Sequence, residues 1–219
     1  MEMKPFWKLV ALEFKHEFRQ KNALAGTFIY VLGTVFVSYL AFKRVVNVPT
    51  WIALFWIIML FAAVNAVAKS FMQESAGTRL YYYMLASPLG VVFSRILYNS
   101  LLLCSIGIIS LVAFQLFLGG RIEDHYSFLL GLVLGCFGLA SILTMTSAIA
   151  SRAGNNPSLM AILSFPVLIP FLIVLIRFTK NAMDGIAWAA NGSYAYVMVA
   201  LIGLVYALCY LLFPYLWRD

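Results

Sequence analysis

Residues 158–176 read SLMAILSFPVLIPFLIVLI, nineteen residues without an ionisable side chain. A helix of about 20 apolar residues crosses the roughly 30 Å hydrocarbon layer of a bilayer, so this run is read as a membrane span. Working outward from it, five more runs have the same character, at about residues 23–42, 49–68, 96–118, 126–150 and 193–213. Hydrophobic residues are 64% of the 219 and charged residues 11%, a balance that belongs to polytopic membrane proteins rather than soluble domains. The expected fold class is therefore all-α integral membrane: one domain over residues 1–219 with six transmembrane helices. No low-complexity tract or sequence repeat divides it.

Basic residues accumulate on the cytoplasmic side of a membrane, which gives an orientation. Lys4, Lys8, Lys15, Arg19 and Lys21 precede the first span, and Lys69, Arg79, Arg95, Arg152 and Arg218 fall on the same side of an even-numbered bundle. The other side has Lys43, Arg44, Arg121, Arg177 and Lys180. Both termini are expected in the cytoplasm, and the net charge of +7 is explained by this bias and by nearby anionic lipid, with no nucleic acid invoked. The first apolar run exceeds the length of a signal-peptide core, which favours a retained span. Cys104, Cys136 and Cys209 fall inside apolar runs and are read as buried, unpaired thiols.

The ionisable residues can all be assigned to tails, loops or span ends. Ion- and proton-coupled transporters generally need such a group at depth, so that mode of transport is not expected. His16-Glu17 begins a zinc motif of the HExxH type but has Gln20 where the second histidine belongs, and no GxSxG occurs. A P-loop requires a Gly-Lys pair, and the chain has none, so ATP chemistry must come from a partner. The chain is not expected to be an enzyme by itself, nor to bind a metal.

Several features remain. Trp7, Val10, Phe14 and Phe18 recur at helical spacing in residues 5–20, with Lys8, Lys15 and Arg19 off that stripe, which predicts an amphipathic helix in the lipid interface. Gly131, Gly135 and Gly138 lie near one face of the fourth span and predict close helix packing, within the chain or between two copies. Pro166 and Pro170 deprive the carbonyls of Ile162 and Pro166 of amide partners, which predicts a kinked or broken fifth helix. Asn65 and Gln115 are read as interhelical hydrogen bonders. Residues 177–192 are read as a loop on the outer side with Ile186 and Trp188 at the interface, and Glu123, Asp124 and His125 as a hydrated turn.

The longest polar insert is FMQESAGTRLYYYMLASP, residues 71–88. Thr78 can cap a short helix running to Ser87, where Pro88 discourages continuation. It reads as the place where a soluble partner pushes on the membrane part, with Glu74, Gly77, Arg79, Leu80, Tyr82, Met84 and Pro88 as the candidate docking residues.

Two segments carry a resemblance. Phe71, Glu74, Gly77, Leu80, Met84 and Pro88 follow the loop between spans two and three of the CcmB family, the haem-exporter permease of the cytochrome c maturation system. Asn156-Pro157-Ser158-Leu159, followed by Ile162-Leu163 and the run from Phe165 to Ile173, is similar to that family's fifth span. Length, six spans and the basic amphipathic start resemble it as well. The resemblance implies an ABC-2-type exporter architecture in a bacterial inner membrane. It also implies a separate cytoplasmic ATPase (the A subunit), a haem-handling C subunit, a small D subunit, and haem as the ligand exported or passed to a periplasmic chaperone. The tryptophan-rich haem signature of the C subunit is absent here, so this chain is not expected to ligate haem directly. The acidic residues usual in the loop are replaced by Gln73, Ala76 and Arg79, and Tyr81-Tyr82-Tyr83 is an insertion. The alternatives are an ABC-2 exporter for a lipid or drug and an uncoupled channel or scaffold.

Overall fold

A computed structural model describes residues 9–11, 21–43, 46–67, 88–152 and 157–216, and the statements below concern these. They form six helices: α1 Lys21–Phe42, α2 Val48–Val67, α3 Pro88–Phe117, α4 His125–Arg152, α5 Pro157–Met183 and α6 Trp188–Leu216. Each is long and apolar enough to cross a membrane. Successive helices therefore alternate in direction, and the short connections 43–47, 118–124 and 184–187 share one face of the bundle. That face is called the loop face below, and the side of the chain ends the terminal face. Residues 9–11 are helical and Val10 is buried; the rest of the amphipathic segment 5–20 lies outside the described residues.

The helices outrun the apolar stretches. α3 begins at Pro88 rather than near 96, α5 continues through Arg177 and Lys180 to Met183, and α6 starts at Trp188, so the expected 177–192 loop contracts to residues 184–187. An interfacial backbone is best satisfied inside a helix, so polar side chains such as Arg177 and Lys180 do not end it. Proline suits the first helical turn, where its missing amide has no acceptor to lose. Pro88 and Pro157 occupy that position. α5 is helical without interruption through Pro166 and Pro170, so the expected break does not occur.

α4 is the central helix and packs against α2, α3, α5 and α6. Lipid gives no hydrophobic drive for helix association, so shape and hydrogen bonds must hold the bundle. The shape comes from glycines on one face of α4. A Cβ at Gly131 would meet Phe178 and Thr179 of α5, one at Gly135 would overlap Trp56 of α2, and one at Gly138 would fall inside the Phe171 ring of α5. α1 lies at the edge, with Val31 and Val35 turned inward and Ile29, Phe36 and Leu40 exposed.

Candidate functional site

The loop-face half is extensively cross-tied. The Trp51 indole donates to the Gly119 carbonyl at 2.9 Å, and the turn it grips is made by Gly119 and Gly120 at φ 70° and 103°, a backbone region that favours glycine. The Asp124 amide donates to the Ala182 carbonyl at 3.0 Å, joining the 118–124 loop to the end of α5. Deeper, the Trp56 indole donates to Thr179 Oγ1 at 3.0 Å, and the Thr179 hydroxyl donates to Leu175 O at 2.8 Å. The buried Asn191 amide donates to Phe178 O at 3.1 Å and accepts from Asn181 at 3.1 Å, linking α6 to α5. Trp51 and Phe55 stack at 5.5 Å, with Phe114 and Phe128 edge-on to both, so the tied region has a rigid aromatic filling.

Asp124 also caps α4. Its Oδ1 accepts the Ser127 amide at 3.0 Å. The carboxyl is held below its ordinary value, first by the Ser127 hydroxyl and then by the Ser127 amide, because these bonds favour the ionised form. Asn47 caps α2 in the same way, accepting the Thr50 amide at 3.0 Å. Glu123 pairs with exposed Arg121 at 3.3 Å, and Lys180 pairs with Asp184 at 2.6 Å, so the turn residues hold one another. Ile186 and Trp188 are exposed at this face.

The terminal-face half is built differently. Ser94, Arg95, Asn99 and Ser100 of α3 are buried, as are Ser141, Thr144, Thr146 and Ser147 of α4 and Ser164 of α5. Asn99 Nδ2 donates to Thr144 Oγ1 at 2.9 Å, fixing the register of antiparallel α3 and α4. Thr146 and Ser164 oxygens are 2.8 Å apart, and Ser164 Oγ is 2.7 Å from Met160 O. A hydroxyl carries one proton, so Thr146 donating to Ser164 and Ser164 donating to Met160 O satisfies both. Ser147 Oγ is buried without a hydrogen-bond partner among the described residues.

Arg95 is the correction that matters most. It lies one turn from Asn99, roughly 10 Å along α3 from Pro88, and is 2% exposed. The sequence reading left Arg95 outside the spans, whereas it lies within a helix and buried in the bundle. That reading began the span at residue 96 and left Arg95 just outside. A buried guanidinium needs compensation, and Arg95 is among the residues that have a polar or electrostatic partner. Of the three thiols, Cys136 and Cys209 are buried and Cys104 is half-buried. Cys104 and Cys136 meet between α3 and α4, in the register that Asn99 and Thr144 set, and both are free. Asn65 and Gln115, expected between helices, lie on exposed faces two residues from the ends of α2 and α3, where headgroups can solvate them. The buried amides are Asn99 and Asn191 instead.

Of the expected docking residues, Glu74, Gly77, Arg79, Leu80, Tyr82 and Met84 lie outside the described residues, and Pro88 is the first residue of α3. The segment 71–87 therefore leads directly into the helix that carries Arg95 and Asn99. Among the described residues no group of His, Cys, Asp and Glu could hold a metal ion.

A family model described as CcmB protein matches residues 4–215. The chain belongs to the CcmB family. That family is the haem-exporter permease of the cytochrome c maturation system, which suggests a non-catalytic transport subunit, and its multi-pass membrane character agrees with the six helices. A search of curated proteins finds no match. In this CcmB-family permease the residues that sequence reasoning missed are Arg95, Asn99 and the Trp56–Thr179 pair. The available signal was a four-residue spacing of polar residues, Arg95 and Asn99 in α3, the latter bonded to Thr144 of α4, and window averaging hides it.

Proposed function

We propose that this chain is the membrane-spanning subunit of an ATP-driven complex in the bacterial inner membrane, with both termini in the cytoplasm. In it a separate ATPase docks on residues 71–88 and powers haem export or release of a haem-loaded periplasmic chaperone. A haem-handling C subunit and a small D subunit complete the complex. The observation that carries this reading is the continuity of α3: displacement of the docking segment acts on Pro88, the first residue of a 30-residue helix. A helix transmits displacement along its length because its backbone bonds are satisfied internally. Asn99 then passes the movement to Thr144 of the central helix at 2.9 Å. The absence of a Gly-Lys pair supports placing ATP on the partner. Haem is the cargo or handled ligand of the complex, and this chain's own haem contacts are not assigned.

Two measurements test the reading. Glu74→Lys with Tyr82→Ala is expected to abolish co-purification with the ATPase while membrane insertion is unchanged; undiminished ATPase recovery would sink the docking claim. Deletion of the gene is expected to remove c-type cytochromes, and normal levels would exclude the maturation role and leave a lipid or drug exporter as the alternative.

A further inference from the structure

We infer that Cys104 and Cys136 form an oxidation site inside the membrane, a pair of thiols that lipid-soluble peroxyl radicals convert to a disulfide joining α3 to α4.

Two separate contacts bring the sulfurs together. The thiols of Cys104 and Cys136 are within hydrogen-bonding reach of each other. Gly107 lies one turn beyond Cys104 on α3, and a Cβ there would stand 3.5 Å from Cys136 Sγ, so the bare backbone lets the α4 thiol lie against α3. The same Cβ would be 3.2 Å from Met59 Cε of α2 and 3.0 Å from Leu132 Cδ1 of α4, and both of these side chains are buried. Cys136 is thus enclosed by Met59, Leu132 and the α3 backbone. Cys104 is half-buried, on the face of α3 that exposes Leu101 and Ile108. A reactant arriving through the lipid meets Cys104 first, with Cys136 directly behind it.

Depth selects the reactant. At helical rise Cys104 is about 20 Å from the loop-face end of α3 and about 24 Å from Pro88, and Cys136 is about 17 Å and about 24 Å from the two ends of α4. Both lie within the hydrocarbon layer, where charged oxidants do not partition. Ordinary thiol–disulfide exchange starts from a thiolate, and an anion is costly to form in hydrocarbon. Hydrogen-atom transfer creates no charge. One peroxyl radical takes the Cys104 hydrogen and becomes a hydroperoxide, a second takes that of Cys136, and the two sulfur radicals pair to form the S–S bond. Two thiols and two peroxyl radicals therefore give one disulfide and two hydroperoxides. The second thiol behind the first makes the product a cross-link rather than a singly oxidised sulfur.

The test uses the full chain in nanodiscs of saturated phosphatidylcholine, which does not propagate the radical chain. A lipid-soluble and a charged, water-soluble azo initiator supply peroxyl radicals at equal flux; free thiols are then alkylated in denaturant and the peptides read by mass spectrometry. The lipid-soluble initiator is expected to give at least about tenfold more of the linked Cys104–Cys136 peptide, with both thiols recovered on reduction and Cys209 still free. Equal yields from the two initiators would mean that water reaches the pair, and would overturn the assignment. So would two free thiols after a lipid-phase radical dye has been consumed, or Cys104 carried to sulfinic acid without a link. Single variants check the order of attack: Cys136→Ser should leave Cys104 open to oxidation and Cys104→Ser should protect Cys136, and the reverse result would remove Cys104 as the point of entry.

Discussion

Replacing Gly138 by alanine places a methyl group where the Phe171 ring already sits, inside van der Waals contact with several ring carbons. The ring belongs to a side chain that is itself fully buried, so it has little room to retreat. Overpacking of this kind costs about 1–3 kcal/mol in a close-packed interior. Phe171→Leu shortens the obstacle and alone leaves a void, and the two changes together should fit better than either. A double-mutant cycle is therefore expected to show a favourable coupling of about 0.5–3 kcal/mol, the range for residues in contact. The assay is the temperature at which detergent-solubilised protein loses its monodisperse state, measured for the parent, both single variants and the double. If Gly138→Ala is neutral, or if the two effects add without coupling, the ring does not bear on the α4 backbone and the packing argument fails.

Two further predictions concern charged groups at opposite ends of the bundle. Asp124 has a lowered carboxyl value in the folded chain, so its contribution is fully present above the ordinary carboxylate value of about 3.9 and is lost as pH falls through the lowered one. Asp124→Ala should cost about 1 kcal/mol at neutral pH as a lost helix cap and should flatten the acid side of the stability profile; an unchanged slope below about pH 4 would refute the assignment. Arg95→Met should destabilise by about 3–5 kcal/mol, because the groups that compensate the guanidinium are left buried. Arg95→Lys should recover only part, since a point charge lacks the planar fork, and a methionine variant as heat-resistant as the parent would contradict the compensation argument.

Much of the architecture was legible in the sequence because membrane spans are set by one strong constraint, the length of apolar chain needed to cross hydrocarbon. The six runs were found for that reason, and their ends were misplaced for a related one. The apolar runs stop at Arg177 and Arg95, whereas the helix stops where its backbone can be satisfied otherwise. Thr179, beyond that edge, is buried in the helix, and its hydroxyl accepts from the Trp56 indole, 123 positions away in sequence. No local pattern contains that pairing. The glycine spacing on α4 was visible, but what fills each gap was not: Phe171, Trp56 and Phe178 come from two different helices and look like ordinary apolar residues in their own segments. Residues 71–87, proposed for docking, are read from sequence alone, and they lead into Pro88, which opens a helix.

Arg95 changes the argument about energy input without reversing its direction. The case against ion coupling began from span interiors that lack ionisable groups, and Arg95, buried in the bundle near the start of α3, is the residue that bears on it. Coupling to protons, however, requires a group that binds and releases one within the working range. A guanidinium remains protonated under all physiological conditions, so Arg95 is a fixed charge that can attract or anchor but cannot load and unload a proton. Among the described residues no Asp, Glu, Lys or His is buried beside it. A fixed cation set one turn from Asn99, near the start of a helix that leads from the docking segment, suits a part that holds two helices in register while force is applied. Among the described residues there is thus no buried group that could load and release a proton beside Arg95, which is consistent with the proposal that a partner supplies the energy.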